Sequence, residues 1–401
     1  MRMRILQRLT GFCVVVLLAA PAARAQEQAQ DESAAKRAWL GLTASEELKD
    51  LKYQQAQEGG WPWTLMTTVA AGDDSNIFNS PNAETDGVFY DFGLKLENLH
   101  YFGEHDSLKL TFAGTGSLYP ESSTLASATQ KIKLRYANRL SKRIRFRLEG
   151  MAGHSNDDKV SIDGHEFLRD FGQVVYRVKP SLRFRLSKRQ TFTLAYAGKG
   201  KNYSETSGRT SLDWFAHGPK ARYKVKFGDS LSFSAGYGFT LRNYDEDLAT
   251  FADGTEDPTN PKEEHRYHRF KAKAEWRPAD WLVMDGRYRF KTKDDQFDDF
   301  ESYEDKKWAF GMTLLPMPGL SIRAEGFFSD REYDNRLGEL PTETLEYDKV
   351  GGSLTAHYQL SRNLAVYARF SHVDRDSNRE TGSSYRDYEV TTFLAGFAFA
   401  R

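Results

Sequence analysis

From Trp61 to the end of the chain, polar and apolar residues alternate with period two, segment after segment. In Arg143-Ile-Arg-Phe-Arg-Leu-Glu149 the odd positions are charged and the even ones apolar. The same pattern recurs in Lys131-Ile-Lys-Leu-Arg-Tyr136, Ser181-Leu-Arg-Phe-Arg-Leu186, Lys220-Ala-Arg-Tyr-Lys-Val-Lys-Phe227, Arg269-Phe-Lys-Ala-Lys-Ala274 and Asn363-Leu-Ala-Val-Tyr-Ala-Arg-Phe370. Successive side chains of a strand point to opposite faces, so each segment is a strand with one apolar and one polar face.

About sixteen such strands are expected, over 62–71, 87–101, 107–119, 128–139, 143–154, 169–185, 190–202, 210–227, 230–244, 266–277, 281–293, 303–315, 320–333, 346–360, 363–374 and 387–400. Short turns such as Ser141-Lys142, Gly228-Asp229 and Ser361-Arg362 alternate with longer polar loops, the longest near Asp245 to Glu264. An even strand number with turns short at one end and long at the other marks an all-β fold: a transmembrane antiparallel β-barrel. A β-sandwich does not need so many strands with one-sided loops. A propeller requires blade repeats of about 40 residues with a recurring motif, and none is present. The mean hydropathy of −0.65 rules out a bundle of membrane helices. The 27 Phe, 20 Tyr and 7 Trp rule out a disordered chain. Tyr136, Tyr223 with Phe227, Trp276, Trp281 and Trp308 fall where interfacial aromatic girdles are expected.

Ahead of the barrel, Arg2, Arg4 and Arg8 precede an apolar stretch from Gly11 to Ala20, then Pro21 and Ala23-Arg24-Ala25. This order is a signal peptide, residues 1–25, cut after Ala25 in an exported protein of a Gram-negative-type cell. The single cysteine, Cys13, lies inside the apolar stretch, so lipid anchoring at the cleavage site, a disulfide framework and a cysteine metal site are not expected. Residues 26–60, rich in Gln, Ala, Glu and Lys, read as a short periplasmic tail or helix, and 61–401 as the barrel.

The 56 basic and 56 acidic residues cancel, but they are not mixed. The polar faces of the strands carry mostly bases, and the long loops carry acids such as Asp245-Glu-Asp247, Asp294-Asp295 and Asp298-Asp299. The candidate pore-lining set is Lys131, Lys133, Arg135, Arg143, Arg145, Arg147, Arg183, Arg185, Lys224, Lys271, Lys273, Arg287, Arg289, Arg323 and Arg369. A cationic wall inside a low-dielectric shell attracts anions. The competing reading pairs these bases with lumenal acids or with loops folded inward. The acidic loops read mainly as solvated, and none has the ligand spacing of a calcium loop.

No catalytic constellation is legible. His154-Ser155 are adjacent, so in a strand their side chains diverge, and a serine hydrolase arrangement is not expected there. No phosphate-binding loop follows a strand. No cofactor, no metal and no nucleic acid is implied.

Ala70-Ala71-Gly72-Asp73-Asp74-Ser75-Asn76-Ile77-Phe78 resembles the first hairpin of an outer-membrane β-barrel porin family of the exopolysaccharide-associated type. Tyr367, Phe370-Ser371, Asp376-Ser377-Asn378, Tyr385, Tyr388 and Gly396 resemble its closing strands. The resemblance implies passage or secretion of a polymer. A similar first hairpin occurs in surface lipoprotein assembly modifiers, whose N-terminal helical-repeat domain the short 26–60 segment does not match. Physically, Asp73-Asp74-Ser75-Asn76 is a turn-forming, hydrated loop start.

The expected function is an outer-membrane pore with a basic lumen, passing anionic solutes or serving export of an acidic polysaccharide. The alternatives are a closed barrel that docks a periplasmic export component and, third, an outer-membrane hydrolase built on His154. The expected surroundings are outer-membrane lipid and lipopolysaccharide, with both termini periplasmic.

Overall fold

The computed structural model describes residues 63–400 apart from 76–85, 103–104, 121–125, 158, 163–164, 169–171, 204–212, 256, 339–342, 362 and 379–386. The signal peptide, the 26–60 segment and the Asn76-Ile77-Phe78 and Tyr385 parts of the two motifs lie outside the described residues.

The first strands are β1 (Trp63–Asp74), β2 (Gly87–Phe102), β3 (Asp106–Leu118), β4 (Ala126–Asn138) and β5 (Ile144–Asp157). A small hairpin, β6 (Lys159–Ile162) and β7 (His165–Leu168), pairs only with itself. The wall resumes with β8 (Gln173–Arg185), β9 (Gln190–Tyr203), β10 (Trp214–Phe227), β11 (Leu231–Leu248), β12 (Lys262–Ala279) and β13 (Leu282–Asp295). It ends with β14 (Tyr303–Met317), β15 (Leu320–Leu337), β16 (Thr344–Gln359), β17 (Leu364–Ser377) and β18 (Tyr388–Ala400). Each strand pairs antiparallel with its sequence neighbour, β5 pairs with β8, and β1 pairs with β18 from Met66↔Ala400 to Asp74↔Thr392. The result is the expected closed antiparallel barrel of sixteen strands. Its first and last residues sit at the short-turn end.

Curvature distinguishes the two faces. Arg323 on β15 reaches Asp285 on β13 at 3.0 Å, passing over Gly311 on the intervening β14. Side chains two strands apart converge only on the concave face, so the polar face is the inner one. The convex face is apolar. On β14 it presents Trp308, Phe310, Met312 and Met317 to the outside, all well exposed. From Trp308 to Met317 the rise is roughly 30 Å along the strand, or about 23 Å once tilted, close to the height of an outer-membrane barrel's apolar band. Beyond Trp308 the convex face turns to Lys306 and Glu304, and on β15 to Asp330 and Glu332. Trp308 therefore marks the edge of the apolar band, not the end of its strand.

Several strands run further toward the long-loop end than alternation indicates. β11 extends to Leu248, β12 begins at Lys262 and β15 extends to Leu337. Register shifts between Asn243 and Leu248, and between Glu332 and Leu337, interrupt the period-two pattern there. A bulge adds a residue to one strand, so the alternation slips and the continuation reads as loop. Arg143 is corrected from strand to turn, because β5 starts at Ile144.

Candidate functional site

The concave face divides into two arcs with different charge chemistry. In the first, most carboxylates are shared among two or more bases. Glu97 lies 3.0 Å from Lys95 and 2.9 Å from Lys109. Glu149 lies 3.1 Å from Arg135, 3.7 Å from Arg147 and 3.1 Å from Lys179. Asp285 and Glu325 hold Arg287 and Arg323 in a four-membered group with contacts of 2.8–3.0 Å. Asp305 takes Arg289 at 2.6 Å and Arg331 at 3.2 Å, and at the short-turn end of β12, where the two arcs meet, Glu275 takes Lys273 alone at 2.9 Å. Within the candidate set, Arg135, Arg147, Lys273, Arg287, Arg289 and Arg323 thus carry carboxylate partners. That part of the face follows the neutralised reading.

The small residue at Gly311 makes the four-membered group possible. A Cβ there would lie 2.6 Å from Asp285 Oδ2 and 2.7 Å from Arg323 Nη2. Gly311→Val is expected to push the two apart and lower stability by about 1.5–3 kcal/mol, the worth of a charge-assisted hydrogen bond. Urea unfolding of the refolded barrel measures this, and an unmoved midpoint contradicts it.

The second arc, β8 to β12, is different. Its inward positions carry Arg177, Arg183, Lys199, Lys220, Arg222, Lys224, Arg269 and Lys271. The charged neighbours of Lys220 are Arg269, Lys179, Arg177 and Lys271, and those of Lys271 are Arg269, Arg289 and Arg222. Cations face each other directly across strands: Arg145↔Arg183, Arg177↔Lys199, Arg269↔Lys291, Lys271↔Arg289 and Lys273↔Arg287. Directly opposed like charges destabilise a sheet. Glu275, Asp285 and Asp305 offset part of this repulsion at Lys273, Arg287 and Arg289, and water, counter-ions or a permeant must offset the rest. Lys131, Lys133 and Arg369 are inward on β4 and β17, while Arg143 and Arg185 sit at the short-turn end, where Arg185 N–H donates to Arg143 O at 2.7 Å.

Toward the long-loop end the concave face becomes aromatic. Arg242 lies over Trp214 at 4.3 Å and Tyr267 at 4.8 Å, Lys291 over Tyr303 at 4.6 Å, Arg331 over Tyr303 at 4.4 Å and Arg375 over Tyr347 at 4.3 Å. Cation–aromatic contacts of this kind fix long side chains in place. Above them, loops 249–261 and 296–302 are locked together. Ala252 N–H donates to Asp298 Oδ2 at 2.6 Å, and Phe251 packs on Phe297 with centroids 5.1 Å apart. Buried Asp295 accepts N–H groups from Phe297 and Glu301. Glu301 itself lies 2.9 Å from Lys293 and 3.1 Å from Arg336, all three largely buried. The bulge in β15 turns Arg336 toward this group. Burial alone would raise the Glu301 carboxyl, but Lys293 and Arg336 outweigh it and hold the group below the ordinary carboxylate range. Asp253 and Asp257 are also held below that range, first by the hydroxyl and then by the backbone N–H of Thr255 and Thr259. The acidic loops are therefore built as turns and as a buried latch, in addition to being wet.

Sequence reasoning missed this latch. Its only signal was the density of acids around one Phe-rich loop, Asp294-Asp-Gln-Phe-Asp-Asp-Phe-Glu301. At β5, Ser155 faces inward and meets Thr129 Oγ1 at 3.0 Å, while adjacent His154 takes the alternate face.

A family model described as "Putative outer membrane beta-barrel porin, MtrB/PioB" matches residues 220–348, from within β10 to within β16. The ferric citrate transporter FecA, in its unliganded form, is 11% identical with a TM-score of 0.45, covering 83% of this chain. This chain spans 63% of that transporter's length. OccAB1 of Acinetobacter baumannii is 10% identical with a TM-score of 0.47, covering 84% of this chain and 96% of its own. A bacterial polysaccharide outer membrane secretin is 8% identical with a TM-score of 0.43, covering 84% and 97%. No curated protein matches the chain. The closed sixteen-strand barrel and the matched porin family are those of an outer-membrane barrel.

Proposed function

We propose, with an outer-membrane β-barrel of the porin type as the premise, that the lumen is a passive path for anions. Its permeants are anionic solutes or the segments of an acidic polysaccharide. The observation that carries this reading is the arc from β8 to β12, where inward cations oppose one another and, among the described residues, no carboxylate is interposed between β8 and β9 or along Lys220, Arg222 and Lys271. Sixteen strands leave room for an aqueous channel. A cationic wall in a low-dielectric shell then raises the local concentration of anions. In this reading the fifteen basic positions singled out in the sequence divide into two roles. The paired ones shape the wall, with Glu275 also near Lys224, and others, among them Arg145, Arg183 and Lys271, attract the permeant. Both termini would face the periplasm together with the short turns, leaving the latched loops outside.

Swelling of liposomes that contain the refolded protein tests the reading. Gluconate is expected to enter several-fold faster than a cationic solute of similar size, since the wall's field acts with opposite sign on the two. Equal rates would remove the anion path.

A further inference from the structure

The β10–β12 part of the arc is concave, because one strand gives up its side chains. On β11, Ser234, Gly236 and Gly238 occupy successive inward positions. Gly238 faces Lys220 on one side and Arg269 on the other, while Gly236 faces Arg222 and Lys271. The result is a notch of about 520 Å³, floored by backbone and walled by cations from both sides. A Cβ on Gly238 would lie 3.3 Å from Lys220 Cγ, so the glycine is what keeps the notch open. Arg222 is held by a hydrogen bond from its Nη2 to Ser234 Oγ at 3.1 Å, which fixes one wall.

We infer that this notch is a binding site for a multiply charged anion, specifically a short run of an acidic oligosaccharide. The inference rests on the proposed anion path and assigns it a place where the permeant pauses. Size is the first argument. The volume falls within the range of about 300–1,000 Å³ typical of small-molecule sites, far above a water's share of about 30 Å³. A lone hydrated oxyanion would leave much of it empty. Spacing is the second. Inward residues two apart on a strand are separated by roughly 7 Å, and cross-strand partners by about 5 Å. The cations therefore form a grid, not a single cluster. Carboxylates carried on successive sugar rings stand a ring apart and can engage several grid points together. Phosphates joined through one bridging oxygen would crowd their charge onto one or two. The third argument is energetic: Lys271 stands directly opposite Arg289, and Arg269 opposite Lys291, so a polyanion relieves repulsion already present in the wall.

Calorimetric titration of the refolded full chain in detergent tests this, with tetragalacturonate, galacturonate and tripolyphosphate as probes. Tetragalacturonate is expected to bind at least about tenfold more tightly than galacturonate, since it engages several cations at once. Lys220→Gln with Lys271→Gln should weaken it about tenfold, and these changes relieve like-charge repulsion, so folding is not at risk. Gly238→Val should weaken binding with every charge kept. Tetragalacturonate binding no tighter than galacturonate, tripolyphosphate binding the tightest, or binding indifferent to the double Gln variant would each overturn the site. Reversal potentials on the same protein keep the two readings apart. An anion-selective barrel that fails to bind tetragalacturonate leaves the path standing without the site. A barrel that binds it but is not anion-selective leaves the site standing without the path.

Discussion

Replacing Lys220, Arg222, Arg269 and Lys271 together by glutamine is expected to reduce the anion-to-cation permeability ratio by about tenfold, the low end of what a focused cationic field supplies. All four are exposed on the concave face; the charged neighbours of Lys220 and Lys271 are cations, and Arg269 has Arg289 beside it with Asp305 as its one carboxylate neighbour. Their field is therefore not cancelled locally. A control of opposite sign exists on β5. Glu149 gathers Arg135, Arg147 and Lys179, so Glu149→Gln releases three cations from one carboxylate. That variant should raise anion preference. If both variants moved selectivity in the same direction, or neither moved it, the cations would be structural and not selective.

The second large effect concerns the loop latch. Glu301→Gln leaves Lys293 with its ammonium buried and its partner gone, and Arg336 loses the same carboxylate. Breaking a buried ion pair from one side costs about 3–5 kcal/mol. The cost is expected to appear locally, as faster hydrogen exchange and protease cleavage at loop 296–302, with the strands below unaffected. A triple change, Glu301→Gln with Lys293→Met and Arg336→Met, removes the orphaned charges and should recover most of the loss. The pH dependence has a definite sign. The Glu301 carboxyl is held below its ordinary value of 4.5, so its contribution is fully present above about that pH and is lost as pH falls through the lowered value. In a Glu263→Gln background, which removes the neighbouring buried carboxyl that burial pushes up to about 7, loop protection should hold steady from pH 5 to 8 and fall only in stronger acid. Loss of protection between pH 6 and 8 would show that Glu301 does not hold the loops.

Much of this molecule is legible in its sequence because a strand's period is two and a barrel repeats it. The Arg143–Glu149 and Lys220–Phe227 segments state both faces of their strands outright, and the sixteen-strand count follows from adding such segments. Legibility ends where the period breaks. The bulges before Leu248 and Leu337 hide the strand extensions, and the hairpin of β6 and β7 is too short to alternate visibly. The split of the basic set into paired and unpaired arcs depends on register. Arg287 and Lys271 look alike in sequence, but Asp285 sits beside the first and Arg222, Arg269 and Arg289 surround the second. The notch is hidden for the same reason. Gly236 and Gly238 read as ordinary strand glycines until the register sets them between two rows of cations.

The most direct measurement is the reversal potential of the refolded barrel in a planar bilayer across a KCl gradient. Steady openings are expected, with a potential displaced toward the chloride equilibrium value. A conducting barrel with a potential displaced toward that of potassium would contradict the anion path.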